Sequence, residues 1–322
     1  MNGAVLISVV IPCYNARATL PSTLASVAAQ QHPSLEIVVV DDGSSDGSAD
    51  WLRATHPEVQ VIEQTNQGVA AARNAGIAAA KGDWIAFLDA DDLWLPGKLA
   101  AQVQRLQQQP DCQLCYTAWA TWTSQASEPD ADWLASLLGR RHDAKLWAGA
   151  SGWIYPELLL DCMVWTSTVL MRRSLLNELG GFDTSLRIGE DYDLWFRASR
   201  RTRIERVAQP LALYRLHPGS ITRSAPTDNY RARVIERALS QWGWEGPDGR
   251  RGDESAVRHG LAKSWVDFGV SQLATGNNAR CWQAVRAAWQ QQRWHLNAWK
   301  LALRCQWSQW RPRSARSDPG SP

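Results

Sequence analysis

Three carboxylates sit within four positions at the end of an apolar run: Asp89, Asp91 and Asp92 in WIAFLDADDLWLP. Like charges this close repel one another, so the arrangement becomes favourable where a cation lies among them. Hard divalent cations such as Mn2+ or Mg2+ take carboxylate oxygens and often share them with substrate phosphates. In an extended segment Asp89 and Asp91 lie on the same side. One can then hold a metal while the other takes a ribose hydroxyl or a metal-bound water. For this spacing alone, a solvated acidic turn capping the next helix is the competing reading. A second pair, Asp41-Asp42 in EIVVVDDGSSDGS, can accept hydrogen bonds from a base N–H or from ribose hydroxyls. Gly43 there permits a tight turn, and Ser44 and Ser45 can cap the helix that follows. A third acidic group, Glu190-Asp191, opens GEDYDLWFRASRR, which reads as a helix over 189–201. An acidic first turn suits the helix macrodipole and points carboxylates into a cleft on the loop side. Arg73, a lone cation in the Ala-rich NQGVAAARNAG, can pair with a phosphate or with Asp41 or Asp42.

The elements that must position these groups alternate over the first 123 residues. LISVVI (6–11), LEIVVV (35–40), VQVIE (59–63) and WIAFLD (84–89) read as buried strands. Helical segments over 18–30, after the Gly/Ser turn at 43–48, and over 68–82 lie between them. Continuous apolar runs joined by helices imply a mostly parallel sheet covered on both faces, the doubly wound α/β class. Ligands of such sheets bind beyond the carboxyl ends of the strands. Pro12-Cys13-Tyr14-Asn15, Asp41-Asp42-Gly43-Ser44 and Asp89-Ala90-Asp91-Asp92 all fall there, so they should meet along one sheet edge. Residues 124–162 read as a loop or lid with a short helix, MVWTSTVLMRR (163–173) as a strand, and SLLNELGG as a helix ending at Gly180-Gly181. RIERVA and LALYRLHPGSIT read as strand and loop.

Six segments occur in order at plausible spacing: SVVIPCYNA, EIVVVDDGSSDGS, NQGVAAARNAG, WIAFLDADD, LGGFD and GEDYDLWFR. Together they resemble family 2 glycosyltransferases, inverting enzymes of the Rossmann-like GT-A fold, over about residues 6–220. The resemblance implies a nucleoside-diphosphate-sugar donor, in most of the family a UDP-sugar, and an acceptor hydroxyl on a saccharide or a lipid-linked molecule. Residues 1–123 would form the nucleotide-sugar-binding half of the domain and 124–225 the half that binds acceptor and supplies the base. Pro12, Tyr14 and Asp41 or Asp42 would hold the nucleoside, and Arg73 would steady the nucleotide. Asp89 and Asp91 would be the family's DXD, with Asp91 the direct ligand of Mn2+ or Mg2+. Asp191 would be the catalytic base with Glu190 beside it, and His217 would lie near the diphosphate. Acceptor choice is expected from 124–162 and from around Trp153 and Trp165. AFLDADDL also superficially resembles the aspartyl-phosphate phosphatase signature, but it lies on the fourth expected strand and lacks the Thr or Val that should follow the second Asp. A non-catalytic nucleotide-sugar-binding scaffold is a further alternative, against which the intact acidic groups weigh.

The net charge of +2 gives no reason to expect a nucleic-acid partner. Cys112 and Cys115 have CxxC spacing but no second pair or nearby His completes a zinc set, so all six cysteines are expected reduced. The N-terminus lacks the basic region of a signal peptide, and a cytoplasmic location, including the cytoplasmic face of a membrane, is expected. Residues 226–316 read as a helical, Trp-rich basic extension and 317–322 as a disordered tail. Trp282, Val285, Trp289, Leu296, Trp299, Leu303, Trp307 and Trp310 recur at helical spacing. Between Arg280 and Arg316 there are eight Lys or Arg and no Asp or Glu. Such a stripe can pack on its own protein, or it can contact a membrane surface with Trp at headgroup depth.

Overall fold

The computed structural model describes residues 5–123, 129–139, 149–216 and 226–310. Strands β1 (Ile7–Cys13), β2 (Leu35–Asp41), β3 (Gln60–Glu63) and β4 (Trp84–Phe87) alternate with helices α1 (Leu20–Ala28), α2 (Ser48–Thr55) and α3 (Val69–Ala79). They are followed by β5 (Leu93–Trp94), α4 (Lys98–Gln108), β6 (Leu114–Trp122), α5 (Ala131–Gly139) and α6 (Tyr155–Leu160). A 3₁₀ turn at Thr166–Thr168 then leads into β7 (Leu170–Arg172), α7 (Arg173–Leu179), α8 (Glu190–Ser199) and β8 (Ile204–Arg215).

These strands form one mixed sheet in the order β3-β2-β1-β4-β7-β6-β8-β5. The first four are parallel, with Cys13 opposite Asp41 and Asp41 opposite Glu63, so their carboxyl ends are in register. β7 runs antiparallel between β4 and β6, β8 is parallel to β6, and β5 is antiparallel to β8. Every residue of β1 is buried, as a central strand covered on both faces requires. Helix α3 approaches β1 closely at Gly76, where a Cβ would collide with the Val10 side chain. That approach fixes the height of the helix that carries Arg73.

The apolar run at 163–173 is not one strand. Thr168 donates its backbone N–H and its hydroxyl to the Trp165 carbonyl, at 2.9 and 2.6 Å, and Val169 N–H bonds Thr166 O at 3.1 Å. Thr and Ser offer the backbone this local alternative to a ladder. The strand shortens to Leu170–Arg172, and helix α7 begins at once. Cys112 and Cys115 are free, buried thiols pushed up by burial, the state of small core residues rather than metal ligands.

The chain divides into two compact units, 1–218 with 245–251, and 219–244 with 252–322. The second is helical: α9 (Tyr230–Trp242), α10 (Glu254–Ala274), α11 (Asn278–Gln291) and α12 (Leu296–Trp310). Asn229, Asp253 and Asn277 cap α9, α10 and α11 by accepting a first-turn backbone N–H at 3.3, 3.0 and 3.2 Å. Small residues let its helices close: Ala262, Cys281, Ala284, Ala288, Ala298, Ala302 and Cys305 are buried with Val285 and Leu301.

Candidate active site

At the carboxyl edge of the parallel strands, two loops are laced together. Asn15 N–H donates to Ser44 Oγ at 2.8 Å, and Ser45 N–H donates to Asn15 Oδ1 at 2.8 Å. Tyr14, beside this lacing, is 57% exposed, an open aromatic face on the loop after β1. Asp41 is buried, and its Oδ1 accepts the Ser44 N–H at 2.7 Å. Its Oδ2 is buried with no hydrogen-bond partner among the described residues, a costly state for a carboxylate oxygen unless a ligand donor completes it. Asp42 is spent within the protein. It accepts from Gln64 Nε2 at 2.7 Å, Gln67 N–H at 2.9 Å and Gly68 N–H at 2.8 Å, pinning the loop that enters α3.

Arg73, on α3, is buried and bridges two acidic groups. Its guanidinium donates to Asp89 Oδ1 and to Glu190 Oε1, each at 2.7 Å, and lies 5.2 Å from the Phe182 ring centroid. Asp41 and Asp42, which the sequence allowed as partners alongside a phosphate, are not its partners among the described residues. The carboxylates it meets instead are 16 and 117 residues away. Burial and the neighbouring Asp191 carboxylate push Glu190 up to about 7, against Arg73, which holds it down. Asp89 and Glu190 together raise the guanidinium, so Arg73 stays charged. Asn74, the next residue, exchanges two 2.8 Å bonds with the Phe182 backbone, and Gly181, at φ +71°, leaves room for the Asn74 amide. The LGGFD segment thus ties α3 to the end of α7, and Arg197 in the last turn of α8 holds it by donating to Leu179 O and Gly181 O.

The DADD segment is a turn rather than an extended strand end: Asp92 N–H bonds Asp89 O at 3.0 Å. Asp92 is fully interior. It accepts from Ser167 Oγ at 2.5 Å, Trp165 Nε1 at 3.1 Å and Arg215 N–H at 3.1 Å. Burial and the Asp91 and Asp89 charges push its carboxyl well above the usual range. The neighbouring 3₁₀ turn reaches both acidic groups. Asp89 N–H donates to Ser167 Oγ at 3.1 Å, and Thr166 Oγ1 donates to Asp191 Oδ2 at 3.0 Å. Arg215, at the end of β8, donates to Asp91 O at 2.8 Å and so fixes the turn from the other side.

The Glycosyl transferase family 2 model matches residues 8–139. A Nostoc relative described as an uncharacterized glycosyltransferase is 32% identical over 244 residues, 74% of this chain and 72% of its own. The chain belongs to glycosyl transferase family 2. ExoO, a succinoglycan biosynthesis protein of Rhizobium meliloti, is 30% identical over 71% of this chain and 66% of its own. Some curated relatives are longer: the match spans 29% of a glycosyltransferase from Rickettsia bellii. Two solved structures share the fold. Staphylococcus aureus TarS with UDP-GlcNAc has a TM-score of 0.55 at 17% identity, covering 89% of this chain and 91% of that one. A Pyrobaculum calidifontis mannosyltransferase with GDP-Man and Mn2+ has a TM-score of 0.57 at 20% identity, covering 97% and 82%.

In this glycosyltransferase, Ser44 ties Asp41 to the loop that carries Tyr14, and Arg73 ties Asp89 to Glu190, the neighbour of Asp191. Pro12 is buried opposite Val40 and shapes the strand end rather than an exposed surface. His217 lies outside the described residues. Trp153 precedes α6, and its carbonyl accepts from Arg250. Sequence reading overlooked Thr166, Ser167, Asn74 and Arg215, whose types carry no signal without a known partner. Among the described residues no three His, Cys, Asp or Glu side chains converge as metal ligands. Asp89, one oxygen of which is held by Arg73, and Asp91 carry hard oxygen donors. That set fits a Mn2+ or Mg2+ completed by diphosphate and water, the usual sharing for such ions.

Proposed function

We propose that this enzyme transfers a sugar from a nucleoside-diphosphate sugar, a UDP-sugar, to an acceptor hydroxyl by one in-line displacement with inversion. The acceptor belongs to polysaccharide, cell-envelope or glycolipid synthesis. The observation that carries the reading is the Arg73 bridge between Asp89 and Glu190, which holds a donor-side acid and the acidic helix α8 to one cation. TarS bound to UDP-GlcNAc, the mannosyltransferase bound to GDP-Man and Mn2+, and the succinoglycan role in the name of ExoO support donor, metal and pathway class respectively.

The buried Asp41 Oδ2 accepts an N–H from the base, which lies against the Tyr14 ring. A Mn2+ or Mg2+ on Asp91 and the second oxygen of Asp89 would supply positive charge against the departing diphosphate. Asp191 takes the acceptor proton as the oxygen attacks the anomeric carbon, an effect typically worth about 10²–10⁴ in rate. The Tyr192 N–H at 2.7 Å and the Thr166 hydroxyl hold that carboxylate in orientation. Glu190, more deeply buried and bound to Arg73, positions rather than reacts. Trp165 lies 4.3 Å from Tyr214 and 5.4 Å from Trp119, centroid to centroid, beside Thr166. These partly exposed rings offer a sugar acceptor an apolar face next to the base.

A thermal-shift screen of nucleotide sugars with Mn2+ identifies the donor, and NMR of the transferred sugar gives its anomeric configuration. The reading predicts the configuration opposite to the donor's. Retained configuration, or no stabilisation by any nucleotide sugar, would overturn it.

A further inference from the structure

The helical unit carries an exposed apolar stripe. The apolar stripe read from sequence divides at residues 293–295. On α11, Val285 is buried, and Trp282 and Trp289 pack against the unit's core. On α12 the stripe turns outward. Leu296 is 66% exposed, Trp299 43%, Leu303 61% and Trp307 76%, and Trp294 just before the helix is 77% exposed. At about 100° per residue, the four α12 side chains fall within an arc of about 80°. Ala298, Leu301, Ala302 and Cys305 occupy the opposite face and are buried. The helix therefore seats mostly small residues on its own protein and presents Leu296, Leu303 and Trp307 to solvent, with Trp299 leaning on Trp289 at 4.5 Å between centroids.

The charges carried by this stretch of the chain have one sign, and the acid that reaches its start from α10, Asp267, is paired with Lys263. Lys300 and Arg304 flank it on the exposed side, Arg293 precedes it, and no acidic residue occurs between Arg280 and Arg316. Leu273, Leu303, Arg304, Trp307 and Ser308 line an open groove of about 470 Å³. It is an apolar trough with a guanidinium at its lip, matched to an acyl chain below a phosphate. Among the described residues no helix is long and apolar enough to cross a membrane, so contact of this kind is interfacial.

We propose that the outer face of α12 docks on a bilayer that carries anionic lipid. Trp294, Trp299 and Trp307 sit at headgroup depth, Leu296 and Leu303 dip below, and Arg293, Lys300 and Arg304 meet lipid phosphates. The proposal does not depend on the donor or the catalytic base.

The test is flotation of the full chain with phosphatidylcholine vesicles, with and without phosphatidylglycerol. Tryptophan emission is followed alongside, and size-exclusion chromatography is run without lipid. Wild type floats with the anionic vesicles, shifts its emission to the blue, and is released by salt. Lys300→Gln with Arg304→Gln weakens binding roughly 30-fold, by two surface charges. Leu303→Glu with Trp307→Glu abolishes it. These positions are exposed, so the variants keep the wild-type melting temperature. No flotation of wild type, or equal flotation of wild type and the Glu pair, would overturn the proposal. So would self-association abolished by the Glu pair without vesicle binding, which would make a second copy the occupant.

Discussion

Arg73→Met removes one buried cation that faces two carboxylates. Each 2.7 Å contact is a charge-assisted hydrogen bond, a class worth about 1.5–3 kcal/mol. The larger cost is that Asp89 and Glu190 are left facing each other and Asp191 with no compensating charge. Breaking a buried ion pair from one side costs about 3–5 kcal/mol. Glu190 can relieve part of this by taking a proton, because its carboxyl already sits at about 7. The net expectation is a loss of about 3 kcal/mol at pH 8 and less at pH 6, where that proton is bound. Urea unfolding at the two pH values measures this. Transfer falls at least about 100-fold, because Asp89 and α8 lose their common anchor. Arg73→Lys keeps the charge without the two-pronged reach and falls between. A Met variant within 1 kcal/mol of wild type, with normal transfer, would refute the idea that this bridge organises the site.

Glu190 also sets a pH dependence. Its folded value of about 7 lies above its ordinary 4.5, so between those values the folded protein holds the extra proton. By linkage this group lowers stability as pH rises through that window, and Glu190→Gln flattens the slope in thermal melts. In the same view transfer rises with pH through about 7 as Glu190 ionises to hold Arg73, and the Gln variant loses that limb of the rate profile. Asp41→Asn replaces the buried Oδ2 by an amide and weakens nucleoside-diphosphate binding about 10- to 100-fold by calorimetry, while Asp42→Asn acts through stability of the 64–68 loop. Trp165→Ala raises the acceptor KM more than the donor KM in steady-state assays.

The four parallel strands were legible because burial on both faces writes continuous Val and Ile runs, and the register then brings Asp41 and Asp89 to one edge without further information. Partners were not legible. Nothing in NQGVAAARNAG names Asp89 or Glu190, since the pairing is made by the height of α3 on β1, which is set by Gly76. The Thr166–Thr168 turn was hidden in an apolar run because hydroxyl side chains that close a turn also fit a strand. The D-x-D spacing identified the acids but implied an extended geometry, whereas Asp92 folds back to be held by Ser167, Trp165 and Arg215. In α12 periodicity located the stripe but not its direction. Alanine and cysteine, weaker by hydrophobicity than tryptophan, won the interior because they allow close helix packing.

The central claim is that Tyr14 after β1, the acids at the ends of β2 and β4 and those opening α8 serve one reaction, with donor held on one side and Asp191 acting on the acceptor. Asp191→Asn measures it most directly, by single-turnover transfer set against calorimetric titration of the nucleoside diphosphate with Mn2+. Transfer is expected to fall by about 10³ or more with nucleotide affinity within a few-fold of wild type. Transfer at the wild-type rate in that variant would contradict the claim.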